Sequence, residues 1–246
     1  MMIQSKYRLC ELFGIPIYVD ISFAILLLIF LTDFGSFTFG IAAALVLAIS
    51  VTLHELGHAL TARAFGYRTN DITLSLLGGC ASLISLPRKA WQEFLTALAG
   101  PLVSFSISLA VLLLDILGIR IENNWLRGVL SYAFYMNIML GGFNLLPGFP
   151  MDGGRIFRSV MQAFVSRPKA TLIAMWVGRA FAILLALRGV HSIFSGGSWG
   201  FISILIAWMI WKEGYREYQQ ALRDESWNRW TQDDFNARVS PPPYDR

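Results

Sequence analysis

Long apolar runs, separated by short polar connections, occupy most of the sequence. Most of these runs approach the roughly 20 residues that a helix needs to cross the hydrocarbon core of a bilayer. The pattern predicts six spanning helices, at about Tyr18–Leu31, Gly40–Arg63, Trp91–Leu117, Trp125–Leu146, Ala170–Leu187 and Trp199–Trp211. The third run contains Gly100-Pro101, which is typical of an interfacial helix that leads into a kinked span. We therefore expect an all-α, polytopic membrane protein.

The connection between the second and third spans has a different pattern. Residues 72–85, ITLSLLGGCASLIS, alternate polar and apolar positions around Gly78-Gly79. Alternation with a period of two predicts strands, and two adjacent glycines accept the positive φ of a tight hairpin turn. We therefore expect a small membrane-associated β-hairpin whose turn contains Gly78 and Gly79.

Two segments in the second half of the chain are irregular or polar. After the fourth span, Pro147 and Pro150 prevent the helix from continuing. Beyond Gly214 the sequence is polar and rich in tryptophan and arginine, which predicts a peripheral helix followed by a disordered end. We accordingly divide the chain into an intramembrane domain, residues 1–214, and a C-terminal tail, residues 215–246.

Composition supports a lipid environment for most of the chain. Hydrophobic residues make up 55% and charged residues only 15%, with a net charge of +4, whereas a soluble domain carries about 25% charged residues. In a membrane protein such a basic excess belongs to cytoplasmic loops and does not indicate nucleic-acid binding. Cys10 and Cys80 provide neither a metal-binding spacing nor a disulfide framework. The first apolar run lacks a small-residue cleavage site, so we expect it to remain as an anchor.

The basic residues also predict the orientation of the chain. One side of the membrane would hold both ends of the chain, the connection between spans two and three, and the connection between spans four and five. The basic residues on that side are Lys6, Arg8, Arg63, Arg68, Arg88, Lys89, Arg155, Arg158, Arg167, Lys169, Lys212 and Arg216. The other connections contain Arg120 and Arg127, with Arg188 at a boundary. Because the richer side is normally cytoplasmic, we expect both termini in the cytoplasm.

Three ionisable residues lie within the second span, in the stretch LHELGHAL. His54 and His58 are four residues apart, so a helix projects both imidazoles from one face, where they can bind one zinc ion. Glu55 can reach the open position of that metal without being a ligand, and can accept a proton from water there. Each such residue at the bilayer centre costs at least about 2.5–3.5 kcal/mol. This cost favours a metal site over a chance pattern.

A catalytic zinc ion usually has three protein ligands, so one more is expected. The candidates are Asp20, Asp33, Asp115, Asp152 and His191. About 14 residues separate Gly40 from His54, roughly 21 Å of helix in a core of about 30 Å, which puts the metal in the cytoplasmic third. Asp33, Asp115 and His191 lie near the outer face, and Asp20 is a weaker rival at the start of the first span. Asp152 is favoured, because irregular chain beside it can re-enter a protein-lined cavity.

These motifs resemble the site-2 protease family of intramembrane zinc metalloproteases, over nearly all of spans two to four and the segment that follows. The resemblance rests on HELGH (residues 54–58), Gly78-Gly79, Ala99-Gly100-Pro101 and NLLPGFPMDGG (residues 144–154). It implies one zinc ion per chain with His54, His58 and Asp152 as ligands, Glu55 as catalytic base, and Asn144 near the substrate or the oxyanion. It also implies a compact form without PDZ or CBS domains, in the plasma membrane of a prokaryote. Ser104 departs from the family, in which many members carry Asn after A-G-P.

The function expected from this resemblance is cleavage of the transmembrane segment of a membrane protein, as in regulated intramembrane proteolysis. A helical substrate must unwind before it is cut, and the 72–85 hairpin, with Gly78 and Gly79, can hold it as an added strand beside Asn144. The alternative is a zinc transporter or another non-hydrolytic membrane protein, which would not need the base Glu55. A metalloprotease that acts on soluble peptides would need a cleft that these short loops scarcely provide. Whether an oligomer forms or a regulatory membrane partner binds stays open.

Overall fold

A computed structural model of the chain describes residues 6–33, 36–75, 78–83, 89–197 and 200–239. These residues form two compact units, Met1–Leu146 and Pro147–Arg246. Within the described ranges the elements are, in chain order, β1 (Lys6–Leu12), β2 (Ile15–Asp20), α1 (Ile21–Asp33), α2 (Phe37–Ala64), β3 (Thr69–Ser75), β4 (Gly78–Leu83), α3 (Ala90–Ile116), α4 (Asn124–Asn144), α5 (Asp152–Met161), α6 (Arg167–Phe194) and α7 (Gly200–Val239).

The first unit contains a four-stranded mixed sheet in the order β1-β2-β3-β4. Strand β2 is antiparallel to β1 and parallel to β3, and β3 is antiparallel to β4. The sheet is therefore larger than the single hairpin that the sequence predicts. The apolar run of β2 continues directly into α1, so the sequence pattern does not separate this strand from the first predicted span. The predicted start of the first span, Tyr18, is thus wrong: Asp20 ends β2 and accepts a hydrogen bond from the Ser22 N–H (2.8 Å) as α1 begins.

The predicted hairpin is present as β3 and β4, but its glycines are not in the turn. Gly78 pairs with Ser75 and Gly79 with Leu74, so both glycines belong to β4. The connection falls at residues 76–77, which lie outside the described residues. The alternating pattern thus predicted the pair of strands correctly, whereas the expectation that glycine marks the turn was wrong.

Three described helices are long and apolar enough to cross a membrane, namely α2, α3 and α6. The prediction of six spanning helices is therefore not confirmed; α1, for example, has only 13 residues. The third predicted span is one continuous helix, with Pro101 inside it, and not two segments. A proline within such a helix is tolerated when neighbouring helices compensate for the missing hydrogen bond.

Small and polar residues bring α2, α3 and α4 close together. A Cβ atom on Gly57 of α2 would lie 2.9 Å from the carbonyl oxygen of Ala99 on α3, so only glycine allows this approach. Between α2 and α4, the Asn137 side chain donates a hydrogen bond to the Ser50 hydroxyl (2.9 Å). Contacts of this kind drive helix association in lipid, where hydrophobic burial between helices gains little.

The sheet packs on α2 in the part of the helix that carries the histidines. Ile15, Ile17, Ile72 and Leu74 of β2 and β3 form one buried cluster with residues of α1 and α2, among them Leu56 and Ala59. This cluster fixes how α2 is rotated, so the opposite face of the helix is free to pack against α3.

The second unit consists of α5, α6 and α7. Gly189 of α6 packs against Gly200 of α7, where an added Cβ would come within 2.7 Å of the Gly200 carbonyl oxygen. Helix α5 was not predicted, because its first residues, Asp-Gly-Gly, are typical of a loop. Helix α7 continues across Gly214 to Val239, so the tail begins as part of the same helix as the last predicted span. The disordered end that was predicted beyond it lies at residues 240–246, outside the described residues.

Candidate metal centre

His54 and His58 lie one turn apart on α2 and project from the same side of the helix. Both are buried, with 2% and 8% of their surfaces exposed, and their ring centroids are 4.9 Å apart. Nδ1 of each ring is hydrogen-bonded to a residue of α3. The predicted pairing of the two histidines is therefore observed.

The hydrogen bonds of the rings determine which nitrogen is available to a metal. Nδ1 of His58 lies 2.7 Å from the backbone carbonyl oxygen of Thr96. Since a carbonyl can only accept, Nδ1 carries the proton, and in the neutral ring Nε2 keeps its lone pair. Nδ1 of His54 lies 2.9 Å from the Ser104 hydroxyl, whose oxygen can accept a hydrogen bond from it in the same way. Metal-binding histidines in proteins are typically held by such a bond.

Gly100 provides the space in front of both rings. A Cβ atom on Gly100 would overlap Nε2 of His58 and lie 2.7 Å from Nε2 of His54. The two Nε2 atoms thus converge on the one part of α3 that has no side chain. Two converging lone pairs beside a glycine fit a metal ion better than they fit a packed apolar core.

Glu55 follows His54 on α2 and is partly exposed. A helix turns by about 100° per residue, so Glu55 leaves α2 in a direction different from that of His54.

Asp152 belongs to the second unit, where it is the first residue of α5 and is buried. The chain before it is held by backbone contacts: a Cβ on Gly154 would lie 2.6 Å from the carbonyl carbon of Gly148, and one on Gly148 would lie 2.7 Å from Cα of Gly178. The glycines after Asp152 therefore permit close packing. They fix the backbone that carries the carboxylate.

The other candidates are less suited to hold a metal. The Asp20 carboxylate accepts the Ser22 N–H at the start of α1. Asp115 and His191 are exposed, whereas the two histidines of α2 are buried. The side chain of Asp33 is not among the described ones.

The predicted substrate-binding residues lie at element ends or edges. Asn144 is the last residue of α4, is partly exposed, and donates a hydrogen bond to the carbonyl oxygen of Leu140 (3.0 Å). Gly78 and Gly79 lie in β4, at one edge of the described sheet.

Comparison with known proteins places the chain in a family. The sequence profile of peptidase family M50 matches residues 42–119 and 116–186. The chain belongs to peptidase family M50. This membership confirms the resemblance to site-2 proteases, and the matched region of the M50 chain includes HELGH, Ala99-Gly100-Pro101 and Asp152.

Individual M50 relatives agree with this assignment. A zinc metalloprotease of Methanocaldococcus jannaschii is 37% identical over 188 residues, which cover 75% of this chain and 54% of the relative. A Synechocystis protein, also named for zinc metalloprotease activity, is 33% identical over 97% of this chain and 66% of its own length. This chain thus spans between about half and two thirds of these relatives. The solved structure titled site-2 protease from M. jannaschii covers 87% of this chain and 95% of that one, with a TM-score of 0.65 and 33% identity.

Sequence reasoning missed how α3 of the M50 chain supports the histidines. Thr96, Gly100 and Ser104 follow each other at intervals of four, which puts all three on the face turned towards His54 and His58. The small residues Gly100 and Ser104 in an otherwise apolar span are a signal that could identify this face, whereas Thr96 acts through its backbone carbonyl oxygen and leaves no such signal. Ser104, noted only as a departure from the family, is a hydrogen-bond partner of His54.

Proposed function

We propose that this chain is a zinc endopeptidase that hydrolyses a peptide bond within or next to the transmembrane segment of a membrane protein. The observation that carries the proposal is that Nε2 of His54 and Nε2 of His58 converge beside Gly100. The histidines belong to α2 and Gly100 to α3, and both helices are long and apolar enough to cross a membrane. Membership of peptidase family M50 and the presence of Glu55 on the same turn support hydrolysis rather than transport.

We propose His54, His58 and Asp152 as the ligands of one zinc ion. Two imidazole nitrogens and a carboxylate oxygen form a donor set that zinc prefers, and three protein ligands leave one position open for catalysis. The Nδ1 hydrogen bonds to Thr96 and Ser104 fit this role, because they fix the tautomer and the orientation of each ring.

Glu55 acts as the proton carrier of the reaction. A bound zinc ion would lower the pKa of water towards about 7 and would polarise the scissile carbonyl. The Glu55 carboxylate accepts a proton from the attacking water and then gives it to the amine nitrogen as the C–N bond breaks. The partial exposure of Glu55 leaves it accessible to both water and substrate.

The edge of β4 binds the substrate. A helical peptide bond is shielded, so the substrate must unwind, and each N–H and C=O that it releases in lipid needs a new partner. Strand β3 is paired on both sides, whereas β4 is at the edge of the described sheet and can accept an added strand. Gly78 and Gly79 allow a close backbone approach there, and Asn144 adds a side-chain hydrogen bond.

The setting that we propose is the plasma membrane of a prokaryote, with both termini in the cytoplasm, in regulated intramembrane proteolysis. The distribution of basic residues supports this orientation. The bacterial and archaeal sources of the relatives support a prokaryotic origin.

The Glu55→Gln variant tests the proposed function. The amide is nearly isosteric but cannot accept a proton, so cleavage should fall about 10²–10⁴-fold while the fold and the zinc content are kept. Candidate single-pass substrates are co-expressed with the wild type or the variant, and their fragments are compared. Full cleavage by purified Glu55→Gln protein would exclude the mechanism, and zinc transport without cleavage by the wild type would favour a carrier.

A further inference from the structure

An ion pair between a buried arginine and a partly buried glutamate joins α5 to α7 in the second unit. Arg158 is only 1% exposed, and its guanidinium donates a hydrogen bond to Oε2 of Glu217 at 2.8 Å. The other carboxylate oxygen of Glu217 lies 3.9 Å from the Arg155 guanidinium. Burial raises the pKa of Glu217, but the charges of Arg155, Arg158 and Arg167 outweigh it, so the pKa is lowered overall. Glu217 is therefore an anion at neutral pH.

Arg158 also contacts the chain that leads into Asp152. Its guanidinium carbon lies 4.9 Å from the centroid of the Phe149 ring, and Phe149 is itself 1% exposed. Phe149 is three residues before Asp152, in the stretch held between Gly154 and Gly178. A continuous series of contacts thus runs from Glu217 on α7, through Arg158 and Phe149, to the backbone that carries the proposed ligand.

Stability alone is a weak explanation for this ion pair. The desolvation of a buried arginine and a largely buried glutamate often offsets their attraction, and a well-packed apolar pair can be equally stable. The ion pair does fix the orientation of the Arg158 guanidinium, because a hydrogen bond between two planar groups holds it in one position over the Phe149 ring. A metal ligand benefits from such fixed surroundings.

We propose that Glu217 is a positioning residue that, through Arg158 and Phe149, holds Asp152 in the orientation in which it binds the metal. The C-terminal helix α7 then contributes to the metal centre although it supplies no ligand. This inference rests on the proposed function, since it requires Asp152 to be a ligand.

The experiment measures the zinc dissociation constant of the full-length protein in detergent by competition with a chelator. Glu217→Gln keeps the shape of the side chain but removes its charge, and should weaken zinc binding about tenfold. The matched control is Glu213→Gln, one turn earlier on α7, because Glu213 forms an ion pair with the exposed Arg216 of the same helix. The control should bind zinc as the wild type does.

A second background separates positioning from general stability. If Glu217 acts through Asp152, Glu217→Gln should cause no further loss of zinc affinity in an Asp152→Ala protein. The same fold-loss in both backgrounds would overturn the proposal, as would unchanged affinity in the single variant. Unchanged affinity in Asp152→Ala alone would instead show that the ligand assignment of the proposed function is wrong. Should Glu217→Gln elute as an aggregate, Glu217→Asp, which keeps the charge but shortens the reach, replaces it with the same expected direction.

Discussion

Gly100 is a residue at which one methyl group should decide whether the metal binds. In Gly100→Ala the new Cβ would overlap Nε2 of His58, so the rings must turn away and zinc content should fall at least about tenfold. Gly142→Ala is the matched control, because it lies within α4 and a Cβ there meets no described atom within 4 Å. Metal analysis of both purified variants checks the prediction. A fully zinc-loaded Gly100→Ala protein would contradict it.

Ser104 should affect the metal through His54. Ser104→Ala removes the hydroxyl that lies 2.9 Å from Nδ1, so the ring loses one constraint, and zinc affinity should fall about 10–100-fold. Ser108→Ala is the control one turn later on α3: its hydroxyl is equally buried but donates to the carbonyl oxygen of Phe134. Chelator competition compares the two. An equal loss of zinc affinity in both variants would show that the substitutions act through helix packing and not through the hydrogen bond to His54.

Local spacing predicted some residues of the centre and not others. The helical period of 3.6 residues is enough to predict the relative placement of His54, Glu55 and His58, because all three belong to one helix. The roles of Thr96 and Ser104 depend on how α3 is placed along α2, and no local pattern in either helix determines that placement. Depth in the membrane and the resemblance to a family both favoured Asp152, whereas neither gave Gly100 a role at the metal.

At the scale of elements, the effect of a proline in the edge strand β4 should alternate from one position to the next. Neighbouring N–H groups in an antiparallel strand point in turn towards the partner strand and away from it. Of Cys80→Pro and Ala81→Pro, the variant that removes an outward N–H should keep its zinc but cleave substrate more slowly, while the other should disrupt the pairing with β3. Zinc content and cleavage are measured for both. Wild-type cleavage by the variant that keeps zinc would argue against strand addition.

Long helices were easier to predict than short elements. The predicted span Gly40–Arg63 corresponds to α2, Phe37–Ala64, because a long apolar run leaves little choice of structure. Strand β2 was absorbed into the first span, since a short apolar run does not distinguish a strand from a helix. Its partner β3 lies about 50 residues later, so the pairing cannot be inferred locally.

At the scale of the whole molecule, the sheet predicts which segments share one side of the membrane. Strands β1 to β4 pair with one another, so residues 6–20 and 69–83 must lie on the same side, and the basic residues indicate the cytoplasm. In a Cys80→Ser protein, the exposed native Cys10 should resist an impermeant thiol reagent in intact cells but react in inverted vesicles. Labelling of Cys10 from outside intact cells would invert the topology.

The parallel pairing of β2 with β3 has a consequence for the order of folding. Ile17 pairs with Ile72, and the chain between them consists mainly of α1 and α2. The two strands can pair only after both helices have been synthesised, and contacts of such long sequence separation form late. A growing chain therefore cannot complete the four-stranded sheet until the helix with the histidines has been made. If the edge of β4 binds substrate as we propose, the binding edge and the two histidines become available at the same stage of synthesis.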